Sequence, residues 1–261
     1  MFKDINIYIF ICITYIMKMT PELAEVCGIH AGDGYMRLRY GNKGEFTVSG
    51  HKEEKGYYDN HVIPLVNIVF ELDIIGRFFH KGNYGFVTYV KRAHQMLHSL
   101  GFPYKKKSLI VSVPETILNS SDNSVKCAFL RGLFDTDGCL TFRKSYYGLN
   151  KFKKTYTHYP KILISTVSKS LARGILKILH DLDIVFNYYI TDPKRKRDNR
   201  KYIISISGVG GLDSWMRLVG MKNPVKHTRY LIWKKFGFCP TNTTLEQREK
   251  ILKGSLNIYS L

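Results

Sequence analysis

The chain has 261 residues, enough for one large domain or two small fused ones with real cores. Its 40 Lys and Arg stand against 21 Asp and Glu, a formal charge of +19, and a compact fold that keeps so much self-repulsion points to a polyanionic partner. Five cysteines (Cys12, Cys27, Cys127, Cys139, Cys239) form no CxxC pair. That argues against a disulfide scaffold or a structural zinc site and for reduced core thiols in an intracellular, non-secreted protein.

Residues 1–20 read as an apolar N-terminal extension. Its apolar run, 5–17, is too short to span a bilayer, and it has neither a strong basic start nor a small-residue cleavage site. Met17 or Met19 is an alternative start, and an added edge strand is another reading. A first helix is predicted over 22–33, with Thr20 as N-cap, Pro21 at the first helical position and Glu22 at the positive end of the dipole. Gly34 reads as its C-terminal stop. Strands are predicted over 35–40 and 46–51, where Tyr35, Arg37 and Arg39, then Thr47, Ser49 and His51, alternate with apolar residues. A helix over 60–73, strands over 76–80 and 84–90, and a helix over 91–100 complete the first half.

The second half repeats that order. Ser121, Asp122 and Ser124 offer caps for a helix over 125–137 that stops at Gly138. Strands follow over 140–147 and 161–167, a helix over 168–183, strands over 186–191 and 201–207, and helices over 211–219 and 230–236. Each half reads αββαββα, an α+β fold in which two antiparallel sheets are covered by helices on one side. The open faces carry Arg37, Arg39, Thr47, Ser49, Thr141, Arg143, Asn187, Tyr189, Lys201 and Ser205, with Lys194, Arg195, Lys196 and Arg197 in a basic loop. As a set these suit DNA; singly, each reads better as a solvated strand residue. The expected division is 1–20, then repeats over 21–120 and 121–240, then a tail over 241–261.

The two helix ends compare directly. The first runs Val26-Cys27-Gly28-Ile29-His30-Ala31-Gly32-Asp33-Gly34 and the second Leu130-Arg131-Gly132-Leu133-Phe134-Asp135-Thr136-Asp137-Gly138. Gly28 and Gly32 share one helix face, as do Gly132 and Thr136, and small residues four apart let two helix backbones approach closely. If these faces pack together, Asp33 and Asp137 lie side by side, where their mutual repulsion and the helix dipoles call for divalent cations.

This duplicated motif resembles the signature of the LAGLIDADG homing endonuclease family, in its single-chain, two-repeat, intron-encoded branch. The resemblance covers about 21–240 and is weaker in the first copy, with His30 where the family often has Asp. It implies a monomer whose two repeats, in pseudo-twofold arrangement, lay their sheets as a saddle on a long, asymmetric double-stranded DNA site. It also implies Mg²⁺, with Mn²⁺ as a substitute, held by Asp33 and Asp137 with the main-chain carbonyls of Gly32 and Thr136. A basic residue is implied beside each scissile phosphate, and Lys107 and Lys226, each six positions after a glycine (Gly101, Gly220), are the candidates, with Lys106 and Lys222 as rivals. Asp135, with no acidic equivalent in the first copy where His30 stands, reads as structural, and His30 as packed or surface. The alternatives are a maturase acting on host intron RNA and a non-catalytic DNA-binding regulator on the same fold.

Overall fold

The structure is a computed structural model that describes residues 18–39, 44–144, 157–193, 195 and 197–260. The apolar run at 5–17, Cys12, Tyr40, residues 145–147 of one expected strand, and Lys194 and Lys196 lie outside the described residues. Among the described residues no helix is long and apolar enough to cross a membrane.

Helix α1 (Pro21–Gly32) starts as expected, with the Thr20 hydroxyl accepting from the Leu23 amide at 3.3 Å and Pro21 in the first turn. Residues 23–31 are all buried, so this helix has no polar face and belongs to the interior. Strand β1 (Gly34–Leu38) follows at once, pairing antiparallel with β2 (Gly44–His51). The chain then winds through a 3-10 turn (Lys52–Glu54), a single α turn (Lys55–Tyr57) and a π turn (Tyr58–Val62) into α2 (Ile63–Phe70). The helical stretch therefore starts eight residues before the predicted 60. Pro64 lacks the N–H that would bond the carbonyl four residues back, and the turn before it widens. Strands β3 (Arg77–Phe78) and β4 (Asn83–Thr88) and helix α3 (Lys91–Ser99) complete the first repeat. Its sheet order is β1-β2-β4-β3.

A crossing segment containing the short helix α4 (Glu115–Leu118), which the sequence reading did not anticipate, leads to α5 (Asn123–Asp137), capped by Asp122. Strands β5 (Cys139–Arg143) and β6 (Tyr159–Thr166), helix α6 (Lys169–Asp181), strands β7 (Asn187–Thr191) and β8 (Lys201–Ser207), and helix α7 (Gly208–Leu218) repeat the pattern. The sheet order β5-β6-β8-β7 matches the first. Helix α8 (Pro224–Phe236) begins six residues before the predicted 230, because Asn223 caps it and Pro224 fits its first turn. Residues 241–261 are not a plain tail. Thr244 and Gln247 form a capping box for α9 (Leu245–Leu252), which packs on α8 and buries Arg248 completely.

In both sheets alternate residues (Met36, Phe46, Val48, Phe86; Leu140, Ile162, Ile164, Ile204) go into the core under the helices, and one continuous core joins the repeats. The residues between them, such as Tyr35, Arg37, Ser165 and Tyr189, stay exposed or half-buried on the opposite faces. Two expectations need correction. Gly34 and Gly138 are not left-handed helix stops: neither has a positive φ, and Gly138 is extended at φ −79°, ψ 165°. Glycine is required instead because the strand folds back on the helix. A methyl at Gly34 would stand 2.2 Å from His30 Nδ1, and at Gly138 2.1 Å from Phe134 Cδ2. Among the cysteines, Cys139 is exposed at the start of β5, while Cys27, Cys127 and Cys239 are free and buried.

Candidate active site

Helices α1 and α5 pack against each other along their small residues. A methyl on Gly28 would lie 2.1 Å from the Phe129 carbonyl oxygen, and one on Gly132 2.3 Å from that of Glu25. Backbone thus touches backbone in both directions, as the four-residue spacing predicted. Above this contact Glu25 crosses the interface to Arg131, at 2.5 and 3.1 Å, and meets His61 at 2.6 Å. Burial pushes the Glu25 carboxyl up, but its bonds to His61 and Arg131 outweigh that and leave it below the ordinary range. No sequence signal announced this buried cluster, because its partners are about 36 and 106 positions away in the chain.

The helices end together. A methyl on Gly32 would sit 2.1 Å from Thr136 Oγ1 and 3.4 Å from the Asp137 carboxyl carbon. Asp33 is half-buried and its Oδ2 accepts from the Tyr58 hydroxyl at 3.1 Å. Burial, then the neighbouring charges of Asp137 and Glu54, raise its carboxyl from 3.8 to about 7. Asp137 keeps a solvent-exposed surface but stands in a crowded neighbourhood that raises it too, with Lys107 and Lys226 pulling the other way.

Lys107 and Lys226 come to the same place from opposite repeats. Lys107 Nζ donates to the carbonyls of Ala31 at 2.6 Å and Gly32 at 2.5 Å. Lys226 Nζ donates to those of Phe134 and Thr136 at 2.9 Å, and of Asp135. Each ammonium thus caps the last carbonyls of one motif helix, the negative end of its dipole. The equal spacing from Gly101 and Gly220 has a structural root, since both glycines end their helices at positive φ, +95° and +74°.

Asp135 is completely buried. Its Oδ2 accepts from the Lys222 amide at 2.7 Å, and burial raises its carboxyl to about 6. Its structural assignment fits that position, but its counterpart was misplaced. The 104-residue offset sets Ala31 opposite Asp135 and His30 opposite Phe134. His30 is packed edge-on against Phe46 and Phe102, with no hydrogen bond from either ring nitrogen. Three groups at this site escaped the sequence reading. Tyr58 and Glu54 flank Asp33, and Asn223 links the repeats by donating to Glu54 Oε1 at 2.6 Å and to the Asp135 carbonyl at 2.8 Å. Beside Asp137 the surface opens into a cleft of about 300 Å³ whose lining includes Lys107, Ser165, Thr166 and Lys201.

Strand register puts the predicted polar residues on the open faces. Arg37 faces Glu45 and Tyr35 faces Thr47 in the first sheet; Thr141 faces Lys161, Asn187 faces Ser205 and Tyr189 faces Ile203 in the second. Ser49, Arg143 and Lys201 share these faces, and Arg195 and Arg197 are exposed in the β7–β8 loop. Ser205 does not fit its assignment as a contact residue. It is 1% exposed, packed between flanking strands, with no partner for its hydroxyl. Arg37 and Arg39 are not free arginines either, since Glu45, overlooked in the sequence, binds both.

Residues 124–219 match the family model of the LAGLIDADG-like domain. No curated protein matches the sequence significantly. Among solved structures, a mesophilic variant of the homing endonuclease I-DmoI superposes with a TM-score of 0.53 at 13% identity, covering 78% of this chain and 97% of that one. I-DmoI in complex with DNA and Mn gives 0.53 at 14% identity over 77% and 96%. The meganuclease I-AabMI bound to uncleaved DNA gives 0.51 at 13% over 91% and 99%. At such identities the likeness establishes the fold. With the duplicated motif and the matched sheet orders, the chain has the two-repeat fold of the single-chain homing endonucleases, and its residues 124–219 match the LAGLIDADG-like domain.

Proposed function

We propose that this protein is a site-specific double-strand DNA endonuclease that acts as a monomer, with residues 21–120 and 121–240 each presenting one sheet to a long, asymmetric site. The observation that carries this reading is the meeting of Asp33 and Asp137 at two abutting helix ends, each end also holding a lysine ammonium. Two crowded carboxylates that hold protons tightly, beside carbonyl oxygens already drawing cations, form a hard-oxygen donor set suited to Mg²⁺ or Mn²⁺. Among the described residues no three His, Cys, Asp or Glu side chains form a closed cage. The main-chain carbonyls of Gly32 and Thr136 would hold the ion together with the two aspartates. A bound divalent ion would supply charge neutralisation at the scissile phosphate and an activated water.

The chain's own residues do the rest. The Tyr58 hydroxyl fixes the rotamer of Asp33. Lys107 and Lys226 hold positive charge where the phosphates arrive, exchanging carbonyl partners for phosphate oxygen. The open strand faces, with Arg143, Asn187, Tyr189 and Lys201, meet the bases, while Arg195 and Arg197 meet the backbone.

The test uses Asp33→Asn and Asp137→Asn with Mg²⁺ and a DNA library. Double-strand cleavage disappears in both while site binding persists. Full cutting by either variant overturns the assignment, and loss of binding as well reassigns these aspartates to structure.

A further inference from the structure

A carboxylate is out of place on a surface meant for a polyanion, and Glu45 stands on one. It lies on β2 directly opposite Arg37 of β1, facing away from the core, and yet is 6% exposed. Two guanidiniums cover it. Its Oε2 accepts from Arg37 Nη2 at 3.0 Å and from Arg39 Nε at 2.8 Å and Nη2 at 2.5 Å, while Thr47 Oγ1 lies 3.4 Å from Oε1. Tyr89 supports the far side, its ring centroid 5.3 Å from the Arg39 guanidinium. The arginine side chains stay 41% and 48% exposed, against 8% for Glu45. The carboxylate is the anchor and the arginines are the presented groups.

Two physical consequences follow. A free surface arginine must be ordered when it binds, losing rotamer freedom, whereas this pair is ordered beforehand. One carboxylate also halves the net charge of the pair, which weakens its attraction to phosphates at large and leaves geometry-dependent bonds to base edges as its main gain. Arg37 on β1 and Arg39 just beyond its end converge on the same Glu45 oxygen, so their guanidiniums are presented side by side as one unit. The free edge of each guanidinium suits the O6 and N7 acceptors of guanine.

On the reading of this protein as a DNA-binding endonuclease, we propose that Glu45 is a specificity-determining residue, one that holds Arg37 and Arg39 as a fixed pair reading guanine in the major groove. It acts through the arginines and does not touch the DNA.

The experiment measures equilibrium binding to the preferred site, to each of its single-base variants and to unrelated duplex. The proteins are wild type, Arg37→Ala, Arg39→Ala, Glu45→Gln and Glu45→Asp, each with its melting temperature recorded. The arginine variants locate the base pairs each reads. Glu45→Gln then relaxes discrimination at those pairs by roughly tenfold, the scale of one good bidentate contact, and leaves other positions alone while unrelated DNA binds as well or better. Glu45→Asp keeps the charge but shortens the reach, and relaxes the same positions. An unchanged profile in Glu45→Gln overturns the proposal. So does a wild-type profile in Glu45→Asp alone, since charge without geometry would then suffice, and so does relaxation at a pair that neither arginine reads, which makes Glu45 a base contact itself. Failure of the wild type to prefer any duplex overturns the endonuclease reading instead, and is seen before any variant is compared.

Discussion

Asp33 holds a proton more tightly in the folded protein than in the unfolded chain, its carboxyl having moved from 3.8 to about 7 through burial and then through Asp137 and Glu54. Asp135, raised to about 6 by burial, behaves alike. A carboxyl raised on folding stabilises fully below its unfolded value, and that contribution is lost as the pH climbs through the folded one. These two carboxyls therefore lower the melting temperature of the metal-free protein between about pH 4 and about pH 7, and on the proposed metal-site reading Mg²⁺, by replacing the proton at Asp33, should restore more of it at about pH 8 than at about pH 6. Asp33→Asn flattens its share of the metal-free slope and abolishes most of the Mg²⁺ increment. An increment that is equal at both pH values, or that survives in Asp33→Asn, contradicts metal binding at this carboxylate. The aspartates and lysines were legible in the sequence because both copies carry them at matched spacing. Tyr58 and Glu54 were not, since the 104-residue offset sets Ile162 and His158 against them, and like Asn223 they reach the site through folding alone.

At the scale of elements, the α1–α5 contact is set by glycine at two positions where no side chain fits. A methyl on Gly28 meets a backbone oxygen at 2.1 Å, and backbone cannot swing aside as a side-chain tip can. Gly101 is a useful contrast: a methyl there meets nothing within 4 Å, so replacement strains only its +95° φ. Gly101→Ala should cost about 1 kcal/mol, and Gly28→Ala or Gly132→Ala distinctly more, beyond the roughly 1–3 kcal/mol of ordinary overpacking if the helices cannot separate. Denaturant midpoints of the three variants decide this, and equal losses would show that the helices give way easily. Periodicity identified the long elements here, since buried helices and alternating strands leave strong patterns. It failed where the cue was local. The Asn223-Pro224 start of α8 and the Thr244-Gln247 box of α9 were present but passed over, and Pro64 does not by its identity announce a π turn.

For the whole molecule, a formal charge of +19 is more than the two sheet faces display. The first sheet's most prominent arginines are partly neutralised by Glu45, and Lys107 and Lys226 are turned inward onto carbonyls. Composition points to a polyanion but not to this division, because charge counts do not reveal ion pairs that form across a sheet. On the proposed DNA-binding reading, generic affinity and sequence preference would reside in different parts of the chain. Arg195 and Arg197, exposed in the β7–β8 loop, are placed to meet phosphates. Arg143, on a strand facing outward at the open face, is placed to meet base edges. Affinity for duplex should fall steeply with salt as condensed counterions are released. Removing Arg195 or Arg197 should reduce that slope by about one unit each and weaken all sequences alike, whereas Arg143→Ala should relax preference at one base pair by the equivalent of about 1–3 kcal/mol. Binding isotherms across a salt series, on the preferred site and on its single-base variants, separate the two effects. If Arg143→Ala changes the slope and leaves every base preference intact, the second sheet holds the backbone, and the readout must lie in the first sheet, with Arg37 and Arg39.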